Sequence, residues 1–172
     1  MNGLSILRTM ILLAALFAGV GLAADERGTV LGFWATEDSI LEVARAGNSL
    51  GMRVVAMENP VYTEGEPHGP PGAIRVDVNN PDEALRERPI MNLELLSDYE
   101  FAKGRWRGKI YDPQSGNVYS STMWLEDGQL QMRGYIGVAF LGRTQTFAPV
   151  AGCGPAIVQL LATSGFAAAA CD

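Results

Sequence analysis

Two turn motifs fix how three successive strands pair in the stretch 104–136. Asp127-Gly128 is typical of a two-residue hairpin turn, and Pro113–Gly116 is typical of the turn before it. The two registers agree on one apolar face: Trp106, Gly108, Ile110, Tyr119, Ser121, Met123, Leu125, Leu130, Met132, Gly134 and Ile136. A one-residue slip would move every side chain to the other face, so this segregation predicts an antiparallel sheet that is dry on one side.

The opposite face of these strands is polar and partly basic. It carries Arg105, Arg107, Lys109, Thr122, Gln129, Gln131 and Arg133, with Trp124 and Tyr135 as its aromatic members. Basic and aromatic residues together suit a nucleic-acid platform. The formal net charge of −6 argues against a nucleic-acid partner, so a solvated sheet face is the preferred interpretation.

Strand patterns dominate the rest of the chain. They cover Thr29–Trp34, Ile40–Ala46, Ser49–Met57 and Met91–Leu96. A chain of 172 residues builds one core. We therefore expect one all-β domain, an antiparallel barrel of about eight strands.

One short helix interrupts the strands near residues 81–88. Asn80 is the expected cap, Pro81 the first helical residue and Glu83 the partner of a capping box. Pro89 stops this helix after about two turns.

The first 24 residues predict a signal peptide. Arg8 precedes Met10–Leu22, a charge-free run of 13 residues, and small residues follow at the expected cleavage position. That run is shorter than the ~20 apolar residues a membrane anchor needs. We expect cleavage after residue 24, a barrel domain over 25–150, and a periplasmic or secreted mature chain without a membrane span.

The apolar tail, residues 151–172, contains both cysteines of the chain. In an oxidising compartment Cys153 and Cys171 favour a disulfide, although two free thiols are the alternative. The tail has no charged residue between Ala151 and Cys171, but glycines and a proline interrupt it. A short helix near Ala156–Ala162 that folds back on the domain is preferred over a second membrane segment.

Several motifs, in order, resemble the exported bacterial domain-of-unknown-function family numbered 2147. They are Asn79-Asn80-Pro81-Asp82 with Leu85–Pro89, then Gly108–Tyr119, Arg133–Gly137 and Gly142–Thr146. The resemblance covers about residues 28–150 and implies a lipocalin-like barrel with no established activity. Gly32-Phe33-Trp34 also looks like the Gly-x-Trp motif of the first lipocalin strand. That likeness implies that Trp34 closes one barrel end beneath Arg143 as a cation–π pair. Phe147 departs from the family pattern, which has tryptophan there, and the tail lies outside it.

Gly108, Ser121 and Gly134 form a row of small residues on the dry face. They either allow tight coiling of the sheet or leave a trough for an apolar ligand, and the two are compatible. The candidate lining residues are Trp106, Ile110, Tyr119, Met123, Met132 and Ile136. Arg86 and Arg88 either form ion pairs that tie the helix to the barrel or clamp a ligand carboxylate.

Catalytic and metal-binding motifs fail when tested. Gly47–Gly51 matches Gly-x-Ser-x-Gly but has strand patterns on both sides, whereas a nucleophile elbow needs a helix after it. A single histidine argues against a histidine-built metal site, and no cofactor is expected. We expect a non-catalytic barrel that binds a small apolar or amphiphilic molecule. The alternative is an envelope protein–protein interaction module with a filled barrel, docking through Glu58–Gly72 or the tail.

Overall fold

Eight antiparallel strands form one continuous sheet in the computed structural model, which describes residues 30–150 and 155–163. The strands are β1 (Gly32–Ala35), β2 (Ser39–Ala46), β3 (Ser49–Met57), β4 (Leu96–Ala102), β5 (Arg105–Asp112), β6 (Asn117–Glu126), β7 (Gln129–Tyr135) and β8 (Arg143–Pro149). Their order across the sheet is β3-β2-β1-β8-β7-β6-β5-β4. The strand predicted over Met91–Leu96 begins at Leu96.

The two outer strands of this sheet, β3 and β4, meet through the segment just before β4. The Leu95 amide donates to the Met52 carbonyl at 2.7 Å. The Asn92 amide donates to the Val54 carbonyl at 2.8 Å. These bonds satisfy edge groups that would otherwise be open to pairing, and they leave a nearly closed barrel. The predicted all-β architecture, an antiparallel barrel of about eight strands, is confirmed.

The register predicted from the two turns is confirmed along β5, β6 and most of β7. Asp127 and Gly128 have φ values of 51° and 76°, as a two-residue hairpin turn of this type requires. The pairs that form include Trp106–Met123, Gly108–Ser121, Ile110–Tyr119, Met123–Met132, Ser121–Gly134 and Leu125–Leu130.

The prediction that Ile136 belongs to the apolar inner face, opposite Tyr119, is wrong. Strand β7 ends at Tyr135, and the chain turns away at Gly137, where φ is +74°. The Ile136 side chain is consequently 74% exposed and does not enter the barrel.

The short helix predicted near 81–88 is present as a single 3-10 turn, Glu83–Leu85. Its N-cap is Asp82, whose carboxylate accepts from the Ala84 amide at 3.0 Å. Asn80 was the expected cap, but it is buried and its side chain accepts from the Asp82 amide instead, at 2.9 Å. Local hydrogen bonding therefore moves the start of the helix by two residues.

The described part of the tail is the α-helix α1 (Pro155–Thr163), which contains the helix predicted at Ala156–Ala162. Leu160 packs on the outer surface of the barrel, against a small buried cluster formed by Ile40, Val55 and Ala56. None of the helices in residues 30–150 and 155–163 is long and apolar enough to cross a membrane. The predicted signal peptide and both cysteines of the predicted Cys153–Cys171 disulfide lie outside the described residues, so the cleavage and the disulfide remain predictions.

Candidate functional site

The barrel has two ends, which we call the base and the mouth. The two-residue turns β2–β3, β4–β5 and β6–β7 lie at the base, at residues 47–48, 103–104 and 127–128. The connections β1–β2, β5–β6 and β7–β8 lie at the mouth, at residues 36–38, 113–116 and 136–142. The long connection between β3 and β4, residues 58–95, also leaves from the mouth.

Large side chains fill the barrel near the base. Three of the predicted ligand-lining residues are buried in the main hydrophobic core: Trp106, Met123 and Met132. Phe101 meets the Trp106 ring edge-on, with ring centroids 5.3 Å apart. Trp106 and Met123 border only a small cavity there, of about 330 Å³. The Trp106 indole N–H has no hydrogen-bond partner among the described residues.

Two of the three small residues in the row, Gly108 and Ser121, accommodate Tyr99 of β4. A β-bulge places Asp98 and Tyr99 together opposite Gly108, and Asp98 adopts a φ of 58° to turn the next side chain inward. A Cβ on Gly108 would lie 2.3 Å from the Tyr99 ring. The Tyr99 hydroxyl reaches Ser121 and shares a hydrogen bond with it. Burial raises the pKa of Tyr99 to about 12, so the phenol is neutral. Tyr99 therefore occupies the expected trough over Gly108 and Ser121.

The larger cavity, of about 580 Å³, opens at the mouth. Its floor is apolar and consists of Leu41, Val54, Leu95, Ile110 and Phe147. Its rim is polar and includes Thr36, Ser39, Tyr62, His68, Asn79, Tyr111, Gln114 and Gln145. Of the six predicted lining residues, Ile110 alone is on this wall; Tyr119 is half-buried elsewhere at the mouth.

Residues 58–79, which we call the cover segment, form one side of this cavity. Asn79 anchors the segment to the β5–β6 turn by donating to the Gln114 carbonyl at 2.8 Å. Gly116 in that turn has a φ of +70°, and a Cβ on it would lie 1.9 Å from the Asn79 carbonyl oxygen. Of this segment, Glu58–Gly72 was predicted only as a docking segment, not as a wall of a cavity. The length of the connection is the signal in the sequence, because the stretch from Met57 to Leu96 is far longer than a hairpin needs and such long connections are commonly functional.

A buried carboxylate holds the end of the cover segment against the barrel. Asp77 is fully buried; it accepts from the Tyr111 hydroxyl at 2.6 Å, from Asn80 at 2.8 Å and from Arg88 at 2.8 and 2.9 Å. Burial raises the pKa of Asp77, but the hydrogen bonds from Tyr111, Asn80 and Arg88 outweigh it and hold the pKa below its ordinary value. Burial and the Asp77 carboxylate raise the pKa of Tyr111.

The two arginines proposed as a carboxylate clamp are engaged in ion pairs. Arg88 binds Asp77 and lies over the Tyr111 ring, 5.3 Å from its centroid. Arg86 donates to the Asn80 carbonyl at 2.8 Å and reaches Glu83 at 3.3 Å. Neither borders the mouth cavity. This geometry favours the alternative in which the two arginines form ion pairs that tie the helix to the barrel.

The arginine that does line the cavity is Arg75, and its guanidinium is already paired. It makes two bonds to Glu66, at 2.7 and 2.8 Å, and one to the Asn59 carbonyl at 2.6 Å. The hydrogen bonds from Arg75 and then from Thr63 lower the pKa of Glu66 to about 2. Three carboxylates also line the cavity, those of Asp38, Glu58 and Asp112. Because they outnumber Arg75, the cavity wall carries a net negative charge.

The expected closure of the barrel by Trp34 and Arg143 is wrong. Arg143 begins β8 opposite Gly134, whereas Trp34 pairs with Pro149 at the other end of β8. Six residues of strand separate these positions by roughly 20 Å. Trp34 is buried and donates its indole N–H to the Val30 carbonyl at 2.9 Å, and Arg143 is exposed.

Among residues 30–150 and 155–163, no three His, Cys, Asp or Glu side chains are grouped as a metal site requires.

Comparison with known proteins agrees with this architecture. The chain is similar in structure to protein HP1028 from the human pathogen Helicobacter pylori, which is described as belonging to the lipocalin family. The TM-score is 0.57 at 17% sequence identity, over 80% of this chain and 89% of that one. No curated protein matches the chain in sequence. The model of the bacterial family DUF2147, described as an uncharacterized protein conserved in bacteria, matches residues 32–148. The chain therefore belongs to the DUF2147 family, as the order of its motifs predicts.

Proposed function

We propose that this protein is an exported, non-catalytic carrier that binds a small amphiphilic molecule in the mouth cavity. The observation that carries the proposal is the cavity of about 580 Å³, with an apolar floor inside the barrel and a polar rim. Its volume falls within the range of small-molecule sites, and the mouth of a barrel is a common place for them. A lipocalin-like fold is in keeping with small-molecule binding in general. The signal-peptide pattern supports export.

The charges around the cavity indicate which polar group the ligand carries. Three carboxylates border the cavity, and the two donor groups of Arg75 that suit a carboxylate are bound to Glu66. An anionic group placed there would meet like charge without a free arginine. We therefore propose a ligand with an apolar body and a neutral or cationic polar group, in place of the carboxylate ligand considered from Arg86 and Arg88.

A matched pair of substitutions tests the site. Ile110 faces the cavity, and Lys109, its neighbour on β5, points to the opposite face of the sheet and is exposed. We expect Ile110→Trp to fill the cavity and to weaken binding of the neutral fluorescent amphiphile N-phenyl-1-naphthylamine by about tenfold or more. Lys109→Trp, which adds the same ring outside, should bind like the wild type. Equal binding by both variants would place the probe elsewhere.

Competition then tests the charge of the ligand. Decyltrimethylammonium and decanoate carry comparable apolar chains with opposite charges. We expect the cation to displace the probe at a lower concentration than the anion; the reverse order would refute the assignment of the polar group. Native mass spectrometry of protein purified from the periplasm without detergent should also show a retained mass that disappears on denaturation.

A further inference from the structure

The connection between β7 and β8 exposes an unusual amount of apolar surface at the mouth. Ile136, Val138, Phe140 and Leu141, which we call the apolar tip, are 74%, 57%, 84% and 71% exposed. Together they present roughly 500 Å² of apolar area, at the upper end of the largest patch on an ordinary monomer. A patch of this size in one loop indicates an interaction surface.

The backbone of the tip is held rigidly although its side chains are free in solvent. Arg133 of β7 donates to the carbonyls of Ala139 and Phe140, at 2.7 and 2.9 Å, and to the Thr144 hydroxyl at 2.9 Å. Residues Ala139–Leu141 form a 3-10 turn. Gly142 packs so closely on β7 that a Cβ there would lie 2.5 Å from the Gly134 carbonyl oxygen. The tip is therefore preorganised with its apolar side chains pointing outward, which lowers the entropic cost of binding.

The charged residues that flank the tip in the sequence differ in sign from the net charge of the whole chain. The chain has a net charge of −6, but it contains no Asp or Glu from Gly128 to Cys171. The charged residues of that stretch are Arg133 and Arg143, and Arg143 is exposed directly after the tip. A guanidinium in this position suits phosphate groups. Half-buried Tyr135 precedes the tip and has the amphipathic character typical of membrane interfaces.

We infer that the apolar tip inserts into the interfacial region of a phospholipid bilayer, with Arg143 at the level of the lipid phosphates. The area favours this occupant over a second protein, because a stable protein interface needs about 800 Å² from each partner. Insertion buries a protruding tip without requiring a complementary surface. This inference goes beyond ligand binding and holds whether or not the cavity is occupied, although it would bring the mouth next to the bilayer.

Flotation of the mature protein with vesicles tests the inference. The vesicles contain phosphatidylethanolamine with phosphatidylglycerol as the minor component. We expect the wild type to float and the double variant F140S/L141S to lose partitioning by about tenfold or more. Arg143→Gln should weaken partitioning by roughly fivefold. Val158→Ser, which removes an exposed apolar side chain from α1 on the other side of the barrel, should float like the wild type.

A second measurement locates the tip directly. Phe140→Trp should acquire fluorescence that brominated lipids quench beyond the quenching of the wild type. The inference is overturned if the wild type does not float, if F140S/L141S floats equally well, or if Val158→Ser loses as much partitioning. It is also overturned if analytical ultracentrifugation shows a dimer that F140S/L141S abolishes in protein that does not bind vesicles. Circular dichroism on each variant, and probe binding in the cavity, separate failure of the tip from failure of the fold or of the carrier function.

Discussion

Two glycines in the same row of the sheet are expected to respond oppositely to the same substitution. A Cβ on Gly108 would lie 2.3 Å from the Tyr99 ring, 2.7 Å from the Ser97 carbonyl oxygen and 2.9 Å from the Tyr99 Cα. A Cβ on Gly134 would meet only Tyr119, at 3.8 Å, which is an ordinary contact. Gly108→Ala must therefore push β4 away from β5, whereas Gly134→Ala fits without movement.

The expected magnitudes follow from these contacts. Overpacking of a tight core costs about 1–3 kcal/mol, and Gly108→Ala belongs at about 3 kcal/mol because two of its three contacts are with backbone atoms. Gly134→Ala should stabilise the protein by about 0.5 kcal/mol, because alanine loses less backbone entropy on folding. The first change lowers the midpoint of thermal unfolding by roughly 10 °C.

Urea denaturation followed by circular dichroism measures both free energies of unfolding under the same conditions. Removing the ring with Tyr99→Leu should not rescue Gly108→Ala, since the Ser97 oxygen and the Tyr99 Cα remain in place. Equal effects of the two alanines, within about 0.5 kcal/mol, would refute the packing of Tyr99 over Gly108.

Three further predictions concern buried polar groups and the tail. Ser121→Ala leaves the buried Tyr99 hydroxyl unpaired and should cost about 1–3 kcal/mol, most of it recovered by adding Tyr99→Phe, as a double-mutant cycle in urea would show. Asp77→Asn should cost about 3 kcal/mol at pH 7. The pKa of Asp77 is held below its ordinary value of 3.8, so the carboxylate stabilises the fold fully above about pH 4 and loses this effect as the pH falls further. Urea titrations at decreasing pH should therefore find the free energies of unfolding of the wild type and Asp77→Asn converging below about pH 4. Replacing Cys153 and Cys171 with serine should lower the thermal midpoint, and the denatured mass of the wild type should be about two daltons low if they are bridged.

The pairing of β5, β6 and β7 could be predicted because its determinants are local. Asp127-Gly128 and Pro113–Gly116 each fix a register, and the alternation of side chains then assigns every residue to a face. The prediction failed only at Ile136, where β7 ended one residue before the pattern did. From the sequence alone, an apolar residue where a strand ends is equally compatible with a buried cross-strand pair and with an exposed loop.

The pairing of Trp34 with Arg143 could not be tested from sequence because it depends on how β1 meets β8. Trp34 lies opposite Pro149, a contact between strands more than a hundred residues apart. No turn connects these two strands, so no local motif fixes their stagger. The resemblance to lipocalins predicted the barrel fold correctly, but the fold by itself does not determine which residues are in contact at the ends of the barrel.

The location of the cavity depends on side-chain volume in three dimensions. Trp106, Met123, Leu41 and Ile110 all face inward and all fit the same alternating pattern. Tyr99 and Trp106 are both buried in the core that fills the barrel near the base, whereas near the mouth aliphatic residues such as Leu41 and Ile110 line the cavity that the cover segment borders. The bulge that turns Tyr99 inward lies in β4, and the cover segment lies between β3 and β4, so both are outside the stretch whose turns fix the register. A pattern of apolar and polar residues therefore predicts which face is inside, while residues outside the pattern decide which half of that interior is filled and which is open. Substitutions that change volume on the inner face should consequently affect stability when made near the base and ligand binding when made near the mouth.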